Sequence, residues 1–113
     1  LGKLKTANKQ ATMSYAKKIV LHTPNGYDVA LDHLVEKFME DRVIFVGVVG
    51  HECSKIEEII DEICVGNGSN PYDMLTSSHP NESVNEAVDF ARSLTGNFSG
   101  EVEIVVFKAT EPK

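Results

Sequence analysis

The sequence predicts an α/β fold: a single-domain, three-layer sandwich built β-α-β-α-β-α-β around a four-stranded, mainly parallel sheet. Three observations predict it. Short apolar runs alternate with stretches of helical periodicity, the pattern of strands joined by helical crossovers. The run from Val43 to Val49 (Val-Ile-Phe-Val-Gly-Val-Val) is apolar on both faces and rich in β-branched residues, as in a strand covered from both sides. Two Ser-x-x-Glu signals, at Ser54–Glu57 and Ser83–Glu86, stand where helices should begin after the second and third strands. A chain of 113 residues suits one domain with one core.

The first strand is expected from about Lys17 to His22, around Ile19, Val20 and Leu21. Thr23-Pro-Asn-Gly26 reads as a loop from its turn residues. Tyr27, Ala30, Leu31, Leu34, Val35 and Phe38 then recur at helical spacing, with Asn25 or Asp28 as the cap. After the second strand, Ile56, Ile59, Ile60, Ile63 and Cys64 make one apolar stripe, and Gly66 suits a left-handed stop. Residues 67–71 form a loop, and a short third strand is expected over Asp73–Ser77. Val84, Ala87, Val88, Ala91 and Leu94 mark the third helix, which Gly96 can end. The fourth strand is Val102–Phe107, where Glu103 suggests an edge. Right-handed crossovers leave two strand orders, 3-2-1-4 and 2-1-3-4, and only the first puts the doubly apolar second strand inside the sheet.

Charge divides the chain. Residues 1–18 hold five lysines and no acid, whereas the rest holds six basic and seventeen acidic side chains. The reading is therefore a basic arm over residues 1–14, a flexible segment or leader, followed by one α/β domain over residues 15–113. An acidic body repels phosphate backbones, so no nucleic acid partner is expected. No apolar run reaches 18 residues, so no membrane helix is expected either. Cys53 and Cys64 stand at opposite ends of one helix, roughly 16 Å apart at 1.5 Å per residue, too far for a disulfide. Free thiols and the lack of an apolar signal sequence point to the cytoplasm.

The segment Val43–Cys53 with the helix after it, Leu75-Thr-Ser-Ser-His-Pro80, and the later Phe90-Ala-Arg-Ser-Leu94 resemble a family of small uncharacterised bacterial α/β domains. Domains of that kind also occur in mobile gene (integron) cassettes. The resemblance spans about Ile19 to Phe107. It implies the fold and carries over no activity.

Ligands of parallel sheets usually bind at the carboxyl edge. His22, His51 and His79 fall at the ends of the first three strands, joined by Glu52, Cys53, Ser77 and Ser78. These seven residues are the candidate ligand-binding set. Cys53 with His51 is the candidate catalytic pair, because a thiol before a helix N-terminus is activated by the positive end of the dipole. His22, His51, Cys53 and His79 are the donors a metal would use, yet no paired ligand motif is present and no metal is expected. Phosphate loops and dinucleotide fingerprints are missing, so no cofactor is expected. Two functional readings result. The leading one is a non-enzymatic module that binds a protein partner or a small ligand, with homodimerisation among its forms. The alternative is a small enzyme or metal-binding protein using the Cys/His cluster.

Overall fold

The computed structural model describes residues 14–108. The expected basic arm lies outside the described residues, Ser14 excepted. The elements follow as β1 (Lys18–Thr23), α1 (Ala30–Glu40), β2 (Phe45–Gly50), α2 (Cys53–Val65), β3 (Leu75–Ser78), α3 (Val84–Ser93) and β4 (Val102–Val106), with one 3-10 turn at Gly96–Phe98 before β4. All strand pairs are parallel, and the order is β3-β2-β1-β4. The sheet is thus the four-stranded sandwich the sequence predicts, in the order that keeps β2 interior. The order 2-1-3-4 is excluded.

Strand alternation sorts the core into two halves. Ile19 and Leu21 of β1 and Val46 and Val48 of β2 point to one face. There they pack with Leu31, Val35 and Phe38 of α1 and Ile56, Ile60 and Cys64 of α2. Val20, Phe45 and Val49 point to the other face, against Ala87, Val88 and Ala91 of α3. One helix cannot cover a four-stranded face. Ile104 and Val106 of β4, pointing the same way as Val20, remain about half exposed.

The helix starts divide between expectation and correction. Ser83 is extended, its hydroxyl accepts from the Glu86 amide at 3.1 Å, and the Glu86 carboxylate accepts from the Ser83 amide at 2.8 Å. That capping box forms as the sequence predicts. The box at Ser54–Glu57 does not form. Glu52 adopts a left-handed conformation (φ 59°), so the turn after β2 is tight and α2 already begins at Cys53. Ser54 therefore lies inside the helix, and its hydroxyl meets Ser78 of β3 at 3.3 Å. Glu57 and Asp61 instead accept from the Thr76 hydroxyl at 3.0 and 2.8 Å, tying α2 to the edge strand. At α1 the cap oxygen comes from Asp28, which accepts from the Ala30 amide at 2.8 Å. α3 ends at Ser93, ahead of the Gly96 stop expected. Strand β3 starts two residues later than expected, at Leu75, which leaves Asp73 in the approach to the sheet. No helix of the described residues is long and apolar enough to cross a membrane.

Candidate functional site

At the carboxyl edge the loops after β1 and β2 clamp each other. The His51 amide donates to the Thr23 carbonyl at 2.9 Å, and the Thr23 hydroxyl donates to the His51 carbonyl at 3.0 Å. The Tyr27 amide donates to the Glu52 carboxylate at 2.9 Å, which holds the Glu52 carboxyl below the usual carboxylate range. Gly26 is required here. Its φ is +84°, and a Cβ would stand 2.5 Å from Oε1 of Glu52 and 2.9 Å from the His51 ring. His51 and Glu52 are therefore near each other, but Glu52 is spent on holding a loop, and His51 faces solvent.

The expected Cys/His cluster does not assemble. Cys53 is the first residue of α2 and lies in the core between the sheet and α1/α2, only 4 % exposed. His79 and His22 belong to the opposite face of the sheet, where the parity of β3 and β1 places them beside Phe45 and Val20. His22 aligns with Val49, and β2 separates it from β3. Two strand spacings put the two histidines roughly 10 Å apart. Among the described residues no group of three or more His, Cys, Asp or Glu is placed to hold a metal ion. Ser77 and His79 do come together, whereas Ser78 points to the α2 face toward Ser54.

The thiols give a direct test of this placement. Burial, with Asp61 adding, pushes the Cys64 thiol up to about 11. At pH 8 that leaves about one thiolate in a thousand. Cys53 is shielded by its packing. Brief iodoacetamide treatment at pH 8 is expected to leave both thiols of the native chain unmodified and to modify both in urea, read by intact mass. Rapid native labelling of Cys53 would contradict its burial and bring back the thiol chemistry.

Around His79 the side chains form a closed relay. The Ser77 hydroxyl lies 2.7 Å from Nε2 of His79, and Nδ1 of His79 lies 3.1 Å from Oε1 of Glu82. The ring is 5 % exposed and meets the edge of Phe90 with centroids 5.1 Å apart. Gly47 makes room beneath it: a Cβ there would stand 3.2 Å from Nε2 and 3.0 Å from the Phe45 ring. The backbone turns back at Asn81 (φ 65°), where the Glu82 amide donates to the His79 carbonyl.

A cavity opens at the other end of the sheet. It measures about 540 Å³ and is lined by Lys17, Met39, Arg42, Ile44, Asn70, Pro71, Tyr72 and Asp73. Lys17 precedes β1, Arg42 lies two residues ahead of Ile44 and the start of β2, and Asp73 approaches β3. Parallel strands deliver all three to one amino-terminal edge. Arg42 takes a left-handed backbone (φ 66°) where the chain leaves α1. Its carbonyl is 3.5 Å from Nζ of Lys17. The Tyr72 hydroxyl donates to the Val43 carbonyl at 2.7 Å. Burial raises its pKa, and the Arg42 guanidinium opposes that rise. Among the described residues neither Lys17 nor Arg42 forms an ion pair. This edge carries none of the seven residues expected at the carboxyl ends of the strands. The available signal was two cations standing just before consecutive strands of an acidic domain.

A family model described as a domain of unknown function (DUF7684) matches residues 3–112. The match takes in most of the basic N-terminal segment as well as the sandwich. No curated protein and no solved structure matches the chain.

Proposed function

The chain belongs to the DUF7684 family of domains of unknown function, and from its own geometry we propose that it is a small-ligand-binding module whose ligand is a small organic anion. The observation that carries this reading is the cavity of about 540 Å³ at the amino edge with two cations on its wall. That volume lies within the range of small-molecule sites. Met39, Ile44, Pro71 and Tyr72 offer apolar surface for the body of a ligand, and Lys17 and Arg42 offer charge for its anionic group. Asp73 is placed to accept a hydrogen bond from a ligand hydroxyl or amine. An acidic domain repels free anions at long range, so discrimination falls on the direct contacts with Lys17 and Arg42. The partner-binding form of the same reading rests on β4, which has no outer neighbour among the described residues and whose Ile104 and Val106 are half exposed.

The cavity reading is tested by titrating the protein with phenyl phosphate and benzoate, with phenol as the neutral control. Saturable binding of at least one anion is expected. The double variant Lys17→Gln, Arg42→Asn should weaken it at least about tenfold, and asparagine is chosen because it tolerates the left-handed backbone. Equal binding of phenol, or equal affinity in the double variant, would remove the support for an anion site.

A further inference from the structure

We propose that Ser77, His79 and Glu82 form an acyl-transfer relay that acts on small carboxylic esters with an apolar acyl group. The relay lies at the carboxyl end of β3, whereas the cavity lies at its amino end, so this inference does not rest on the binding reading. Catalytic triads are recognised by the geometry and roles of their members, whatever their order in the chain. Here a carboxylate, a histidine and a hydroxyl stand in line, with each ring nitrogen on its proper partner.

The carboxylate sets the tautomer. An ionised Glu82 can only accept, so Nδ1 of His79 carries the proton across the 3.1 Å contact. In the neutral ring Nε2 then holds the lone pair, and the Ser77 hydroxyl donates to it at 2.7 Å. That distance is within the reach a general base needs. Burial of the ring under Phe90 and over Gly47 fixes its orientation. Glu82 is thus a positioning residue, and Ser77 and His79 touch the reacting atoms.

The surroundings fit an ester. Strand β3 is an outer strand, so Ser77 is only partly covered. The amides of Leu75 and His79 donate inward to the Ile44 and Val48 carbonyls of the β2 side. Alternation turns the Ser78 amide to the open edge, next to the nucleophile, where it can donate to an oxyanion. Leu75 shares the face of Ser77 two residues away, and Phe90 packs on His79. Both are large apolar side chains left about 40 % exposed. They offer a surface for an acyl chain.

In the proposed step Oγ of Ser77 forms a bond to the ester carbonyl carbon, and its proton passes to Nε2 of His79. The carbon–oxygen bond to the alcohol breaks, and that proton goes to the leaving alkoxide. Water then attacks the acyl-serine with His79 again as base, releasing the carboxylic acid and restoring Ser77.

The test treats the full folded chain with a fluorophosphonate probe and measures its hydrolysis of p-nitrophenyl butyrate. One adduct per chain is expected, located on Ser77 by peptide mass. Ser77→Ala should lose the adduct and hydrolyse the ester at least about a hundredfold more slowly. Glu82→Gln should slow labelling at least about tenfold, and Glu82→Asp, which keeps the carboxylate, should recover part of it. Absence of an adduct on the folded wild-type chain, an adduct on any other residue, or wild-type hydrolysis by Ser77→Ala would overturn the proposal. The position of the adduct on the unmodified chain decides the matter even where a variant folds poorly.

Discussion

Phe45→Ala is expected to destabilise the protein by about 3–5 kcal/mol, the usual cost of emptying a fully buried phenylalanine site. Phe45 is fully buried on the face of the sheet that, among the described residues, α3 alone covers. The other buried members of that cluster are valines and alanines, namely Val20, Val49, Ala87, Val88 and Ala91. Phe90, whose ring centroid is 6.1 Å away, sits on the rim and already packs against His79, so it does not fill the space. Loss of Phe45 therefore removes the largest buried apolar side chain of the cluster that holds α3 to the sheet. Urea unfolding of the variant reads the effect directly. A loss below about 1 kcal/mol would show that α3 is held by something other than this contact.

The second large effect concerns Lys18. Its side chain is 1 % exposed on the same face, and its ammonium group donates to the Ala91 carbonyl at 2.6 Å and to the Leu94 carbonyl at 3.4 Å. No carboxylate pairs with it among the described residues. What offsets its desolvation is the carboxyl end of α3, where free carbonyls and the negative end of the helix dipole meet the cation. Lys18→Ala is expected to cost about 2–5 kcal/mol, from the loss of both the buried stem and the charged hydrogen bonds. Lys18→Met keeps the stem and should cost less, about 1–3 kcal/mol. A Met variant as stable as the wild type would assign the whole effect to packing. Both variants are read by denaturant unfolding at pH 7.

The parts of the fold legible in the sequence were those where one pattern had one physical solution. The Val43–Val49 run had to be interior, because Val46 and Val48 face α1 and α2 while Phe45 and Val49 face α3. The Ser83–Glu86 box formed because Ser83 precedes its helix in an extended conformation. The same four-residue pattern at Ser54 failed because the turn at Glu52 starts α2 two residues too early for Ser54 to stand outside it. Local pattern could not reveal that, since the turn is set by the clamp between Gly26, Tyr27 and Glu52, which are distant in sequence.

The candidate site was less legible. His22, His51, Cys53 and His79 follow strand ends on one edge, but their side chains point to different sides. β1 and β3 turn His22 and His79 to the α3 face, and α2 buries Cys53 on the other. Ser77 and His79, two apart on one strand, share a face for the same reason, and their proximity could be read from the spacing alone. Glu82 joins them through a left-handed turn at Asn81, a conformation that asparagine tolerates. The amino-edge cavity depends on the loop of residues 67–73 packing beside the exit of α1, a tertiary contact between segments with no shared pattern.

The most direct test of the cavity as the functional site is the map of backbone amide shifts in a ¹⁵N-labelled sample titrated with phenyl phosphate. Saturable shifts are expected at Lys17, Arg42, Ile44, Tyr72 and Asp73, five of the residues that line the amino edge. Shifts gathered instead around His22, His51 and Ser78 at the carboxyl edge, or none that saturate, would contradict it.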